Sequence, residues 1–215
     1  TFYKLLGNEE INVGSVMIDG KENAVINKLV PGIVGGLFKP NIYGLVPCNN
    51  RNPKLDNSNT DEANPGEKDF RKSYVTKDDV LDANITDNGD GTITMVIQPK
   101  AAEMSMRGED SQGNFFEVLG DISGTVAQIS VISFAQGTAE DNIKVTYKGG
   151  TVTCTIDTKT KEITKAEYNM VAEVAVNHAT VTVIKDKSAS LSISYKNTFP
   201  ASDKYLKETK GVVRK

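Results

Sequence analysis

Apolar and polar side chains alternate in twos through most of residues 142–199. Ile143, Val145 and Tyr147 alternate with Lys144 and Thr146, and Val152, Cys154 and Ile156 with Thr151, Thr153 and Thr155. Next, Ala166, Tyr168, Met170, Ala172, Val174 and Val176 share one parity, while Lys165, Glu167, Asn169 and Glu173 take the other. Val181 and Val183 mark a further segment, and Ala189, Leu191, Ile193 and Tyr195 stand against Ser190, Ser192 and Ser194. Successive side chains of a strand point to opposite faces, so this pattern predicts sheet with one face buried and one wet. Five strands are predicted, near 143–148, 151–157, 162–176, 179–184 and 189–196, with turns at Gly149-Gly150, 157–160 and Asn177-His178-Ala179. Connections that short join antiparallel neighbours. Tyr168, Met170, Val174, Leu191 and Ile193 are the expected core.

Two more strands, near 80–86 and 92–98, form a hairpin in which Leu81, Ala83 and Ile85 face Ile93, Met95 and Ile97. The intervening Asn88-Gly89 and Asp90-Gly91 pairs supply the positive φ angles of a tight turn. Ile11, Val13, Val16 and Ile18 predict an earlier strand, closed by Asp19-Gly20, and residues 130–134 a further short one. The period changes to three and four at Val25, Ile26, Leu29, Val30, Ile33, Val34 and Leu37, which suits a helix. Pro31 and Gly35-Gly36 would kink or split it. A second helix is predicted over 114–129, capped by Asn114 with Glu117 in a capping box. Phe115, Val118, Leu119, Ile122, Val126 and Ile129 form its stripe. The fold class that follows is α+β: a curved antiparallel sheet packed against two or three helices, as a single domain over 1–215. Residues 48–70, rich in Asn and poor in apolar side chains, are read as an exposed polar loop. Residues 203–215 are read as a loosely held tail.

Composition narrows the partners. A chain of 215 residues with 38% hydrophobic and 25% charged residues is ordinary for one globular domain. A net charge of -3 with scattered Lys residues argues against nucleic acid. No run reaches the roughly 20 apolar residues of a membrane-spanning helix, since Asn27, Lys28 and Pro31 interrupt the best candidate. The chain begins at Thr1, so removal of a leader or other upstream sequence is expected. Cys48 and Cys154 allow either one disulfide or two free thiols, and their spacing decides neither.

Chemistry is sparse. The single histidine, His178, has no Gly-x-Ser-x-Gly elbow to serve and is read as an exposed turn residue. One histidine and two distant cysteines lack the spacing of a zinc site. Residues 86–97 imitate a calcium loop at Asn88-Gly89-Asp90-Gly91, but Thr86 and Ile97 fall where carboxylates are needed. Phosphate-cradling glycine motifs are absent from the sequence. Glu167 and Glu173 lie at polar-face positions, and a chain without tryptophan makes a poor sugar cleft. Arg107-Gly108-Glu109-Asp110 misses the Arg-Gly-Asp adhesion motif at Glu109. No catalytic, cofactor or metal site is expected, and the reading is not an enzyme.

The strand and turn style of residues 145–200 resembles exported bacterial domains of LolA-like half-barrel type. The resemblance rests on the Gly149-Gly150 hairpin and on Ile156-Asp157-Thr158-Lys159-Thr160-Lys161-Glu162-Ile163, which leads into the strand of Tyr168 and Met170. The hairpin over 85–97 is similar to another element of such domains. This covers about half the chain and transfers no individual site residue. It implies an exported, cell-surface or extracellular protein with a concave face suited to lipid or lipoprotein cargo. Two functions are therefore expected in competition. One is a non-enzymatic bacterial surface module that binds or scaffolds another macromolecule. The other is a carrier of a lipid or other apolar ligand in the concave face.

Overall fold

A computed structural model describes residues 8–28, 30, 75–106, 110–116, 118–120, 122–128, 132–181, 184–200 and 202–204. The expected loop at 48–70, Cys48, the second half of the first predicted helix and the tail beyond 204 lie outside these.

The alternation over 142–199 folds into three long strands, not five: β8 (Ile143–Asp157), β9 (Ile163–Val181) and β10 (Ile184–Phe199). The expected turn at Gly149-Gly150 is a β-bulge. Register passes from Tyr147 opposite Ala172 to Gly150 opposite Met170, so Lys148 and Gly149 together oppose Val171. Gly149 and Gly150 hold φ of 93° and 152°, values that side chains other than glycine rarely tolerate. One extra residue in one strand shifts its parity, which is why the buried positions run odd to Tyr147 and even from Val152. The expected turn at His178 is likewise a bulge, with His178 at φ 50° inside β9. A parity switch beside glycines therefore read as a turn where the chain runs on.

The other strands are β1 (Asn8–Val13), β2 (Met17–Ile18), β3 (Lys21–Glu22), β4 (Val80–Asp87), β5 (Thr92–Pro99), β6 (Ala102–Glu103) and β7 (Ile132–Phe134). The path is β3-β2-β10-β9-β8-β5-β4, with β1 beside β10, β6 beside β8 and β7 beside β9. Every pairing is antiparallel, and the curved sheet is unclosed. The 88–91 loop joins β4 to β5 as the Asn-Gly and Asp-Gly pairs predicted, with Gly89 and Gly91 at positive φ. Its Gly91 carbonyl accepts from both the backbone N–H and the hydroxyl of Thr158, tying it to the turn between β8 and β9.

One face of the sheet carries the core. Tyr168, Met170, Val174 and Ile193 are buried as expected, whereas Leu191 is only partly so. The predicted helix over 114–129 is two short ones, Ser111–Phe115 and Ser123–Ala127; a third, Ala139–Asn142, precedes β8. Asp110, not Asn114, caps the first, its carboxylate accepting from the N–H groups of Gln112 and Gly113. Asn114 lies inside that helix and is buried. Gly120 at φ 68° separates the two. The predicted stripe nevertheless reaches the core: Phe115, Val118, Ile122 and Val126 are buried in one cluster with the sheet, joined by Phe116, which the helical spacing did not name. Helical period named the right side chains on the wrong backbone.

Two expectations fail at the periphery. Leu81 and Ile85 of β4 are 69% and 65% exposed. Residues 24–28 are helical, started by Asn23, whose side-chain oxygen accepts from the N–H groups of Val25 and Ile26. Only Ile26 of this pair turns inward, and Val25 is 70% exposed.

Candidate apolar binding site

The far end of β9 and β10 projects past the reach of β5 and leaves its core face to be covered by short segments. Val174, Val176, Ala179 and Val181 of β9 and Ala189, Leu191 and Ile193 of β10 supply the floor. Ile26 and Val30 approach from one side, Leu119, Ile122 and Val126 from another. Between them lies a cavity of about 130 Å³. Its lining is apolar except for Lys187.

The walls are tied to the sheet by single polar contacts. Tyr147, fully buried in β8, accepts a 2.9 Å hydrogen bond from the Leu119 N–H through its hydroxyl. The Asn27 side-chain oxygen accepts from the Val16 N–H at 2.6 Å, and the Asn27 amide donates to Glu22 at 2.9 Å. At the rim Lys187 meets Asp19 at 2.7 Å. That hydrogen bond holds the Asp19 carboxyl below the usual carboxylate range and the Lys187 ammonium above its own. Beside it, the paired bulges of β9 and β10 bring His178 Nδ1 within 2.7 Å of Asp186, both residues at positive φ. His178 is thus a partly exposed strand residue with a carboxylate neighbour, rather than a turn residue.

The remaining candidates are dispersed. Glu167 and Glu173 stand on the outer face, bridged to Lys196 at 3.0 Å and Lys148 at 2.8 Å; such exposed pairs contribute little. The hydrogen bond from Asn169, followed by that from Lys196, lowers the Glu167 pKa. In the 88–91 loop the Asp90 carboxylate accepts from the N–H and hydroxyl of Thr92, and Asp87 accepts from the Gly89 N–H, so both serve the turn itself. Among the described residues no three His, Cys, Asp or Glu side chains gather as a metal site would require. A second hollow, about 460 Å³ but open and shallow, lies on the outer face at the bulge, among Glu10, Asn12, Lys148, Asn169 and Lys196. The cavity escaped sequence reading because its walls come from four distant segments, each apolar for ordinary packing reasons.

Cys154 is a free thiol, fully buried on the core face of β8. Burial pushes it from 9.0 up to about 12. A folded-state value above the unfolded one contributes stability below pH 9 that is lost as pH rises toward 12. In a Cys48→Ser background, Cys154 is expected to resist Ellman's reagent until the protein is unfolded. Above pH 9 this chain should lose about 1.4 kcal/mol per pH unit more than its Cys154→Ala counterpart in urea titrations. Rapid labelling of the folded protein would contradict the burial.

Comparison with known proteins places no relative beside this arrangement: no protein family, curated protein or solved structure matched the chain.

Proposed function

We propose that this chain is a non-enzymatic binding module of exported bacterial type, acting outside the cell or at its surface, which seats one apolar group in the cavity at the end of β9 and β10. The observation that carries the reading is the lining, apolar throughout but for Lys187 at the rim. An apolar occupant of this partly open cavity would stabilise the folded protein by mass action. The volume suits one aliphatic chain end or one ring; an engineered apolar cavity of about 150 Å³ takes up benzene. It falls below the ~300 Å³ of pockets that enclose a drug-sized molecule. Asp19 and Lys187 leave the mouth polar, which fits a ligand whose remaining part stays in water.

A second reading, a scaffold acting through its outer surface, draws support from the open hollow at the bulge, where Glu10, Lys148 and Lys196 surround a partly apolar floor. The two separate in one experiment. Protein incubated with bacterial lipid extract and repurified is read by mass spectrometry, alongside titration with a fluorescent naphthylamine probe. Ala189→Leu adds bulk to the cavity wall and is expected to keep or raise the melting temperature while abolishing uptake of probe and lipid. Equal uptake by both proteins, or none by either, would remove the cavity reading; in the second case the outer surface becomes the working site.

A further inference from the structure

Strand β4 ends the sheet, and among the described residues it pairs with β5 alone. Every residue after Val80 is exposed. The Asn88 N–H donates to the Thr92 carbonyl at 3.1 Å, which fixes 88 and 92 as a hydrogen-bonded pair. Such pairs alternate with non-bonded ones along an antiparallel ladder. Thr86 and Asn84 therefore turn their backbone groups toward β5, while Asp87, Ile85 and Ala83 turn theirs outward. Exposed edges are normally blunted by charged side chains, proline, a β-bulge or short length. Strand β4 has eight residues without Lys or Pro; its acids stand at Asp82 and Asp87 and its register shift between Val80 and Asp82, which leaves 83–86 free of these devices. It shows instead an outward backbone with Ile85 65% exposed beside half-covered Met95, its partner in β5.

The charges decide what fits. The opposite edge of the sheet is broken into the two-residue β3, Lys21-Glu22, and β1, whose only charges are acids, so a head-to-tail stack would lay Asp82 and Asp87 of β4 along acidic β1. Like charges across a strand pair destabilise it. A second β4 laid antiparallel about Asn84 avoids this. Ala83 then faces Ile85 of the second copy, both with outward backbone groups. Asn84 meets Asn84 of the second copy, Asp82 meets Thr86, and Asp87 meets Leu81, so no two acids oppose each other. The two Ile85 side chains become diagonal neighbours on the apolar face, within reach of each other.

We propose that β4 is a dimerisation edge, through which two copies of this chain join antiparallel about Asn84 into one continuous sheet. The test uses the full chain carrying Cys48→Ser. Sedimentation velocity over a concentration series should show a dimer. Ile85→Lys, checked for native circular dichroism, should raise the dimer Kd at least tenfold. Asn84 opposite Asn84 of the second copy is a non-hydrogen-bonded pair, whose Cβ atoms lie about 4.5–5.5 Å apart. Asn84→Cys should therefore form a covalent dimer on mild oxidation, and Asp90→Cys at the loop tip should not. A monomer at all concentrations up to about 100 μM would overturn the proposal. So would a dimer that Ile85→Lys leaves intact, or equal cross-linking of the two cysteine variants.

Discussion

Replacing Gly150 with alanine is expected to destabilise the protein by about 3 kcal/mol or more, the largest effect of any single methyl group in the sheet. A Cβ at this position would fall on the Asn169 carbonyl oxygen and stand 2.7 Å from Cζ of Phe116. The first obstacle is backbone, which cannot rotate away. Gly150 also holds φ of 152°, which L side chains rarely adopt; such strain costs of order 1–3 kcal/mol. Overpacking a filled core adds about 1–3 kcal/mol. The measurement is the urea midpoint of Gly150→Ala against wild type at constant m-value. A loss under about 1 kcal/mol would mean that the bulge relaxes freely and does not anchor the covering segment.

Truncating Phe116 to alanine is expected to cost about 3–5 kcal/mol, the usual range for a fully buried aromatic. Phe116 has no exposed surface, lies just after the Ser111–Phe115 helix, and rests on the patch of β8 that Gly150 leaves bare. Its ring centroid is 6.4 Å from that of Phe115, the two planes tilted by 48°. The double variant, Gly150→Ala with Phe116→Ala, should be less destabilised than the sum of the singles, because a Cβ at 150 would press on the Phe116 ring. With the ring gone, the added methyl keeps only its collision with Asn169. A coupling energy of at least about 1 kcal/mol in the double-mutant cycle is the expected result. Strict additivity would show that Phe116 and Gly150 are not in effective contact.

Much of the sheet was legible in the sequence because alternation is a local signal and this sheet is wet on one face. Lys144, Lys148, Glu167 and Glu173 mark the outer side as clearly as Tyr168 and Met170 mark the inner. The bulges were not legible. A Gly-Gly pair and a parity switch belong equally to a hairpin and to a bulge, and only the neighbour strand distinguishes them; here β9 runs unbroken past Gly150. The helix at 114–129 failed for a different reason. Phe115, Val118, Ile122 and Val126 are buried at helical spacing, yet Asp110, as good a cap as Asn114 and four residues before it, starts the helix earlier, and Gly120 interrupts the backbone. Exposure of Leu81 and Ile85 defeats any reading from pattern alone, since alternation reports which side chains share a face, never whether something covers it.

The place of β1 in the sheet bears on how the chain assembles in time. Asn8 lies opposite Thr198, and Val13 opposite Ile193. Strands β8, β9 and β10 are joined in sequence and can zip together as each emerges, with short loops to close. Strand β1 has no such option, because its partner β10 comes last among the described strands. At about 5–20 residues per second the ribosome takes roughly 10–40 s to travel from Asn8 to Thr198. Throughout that interval Ile11 and Val13 lack their native shelter, and a factor that grips unpaired chain finds β1 waiting longer for its partner than any other described strand.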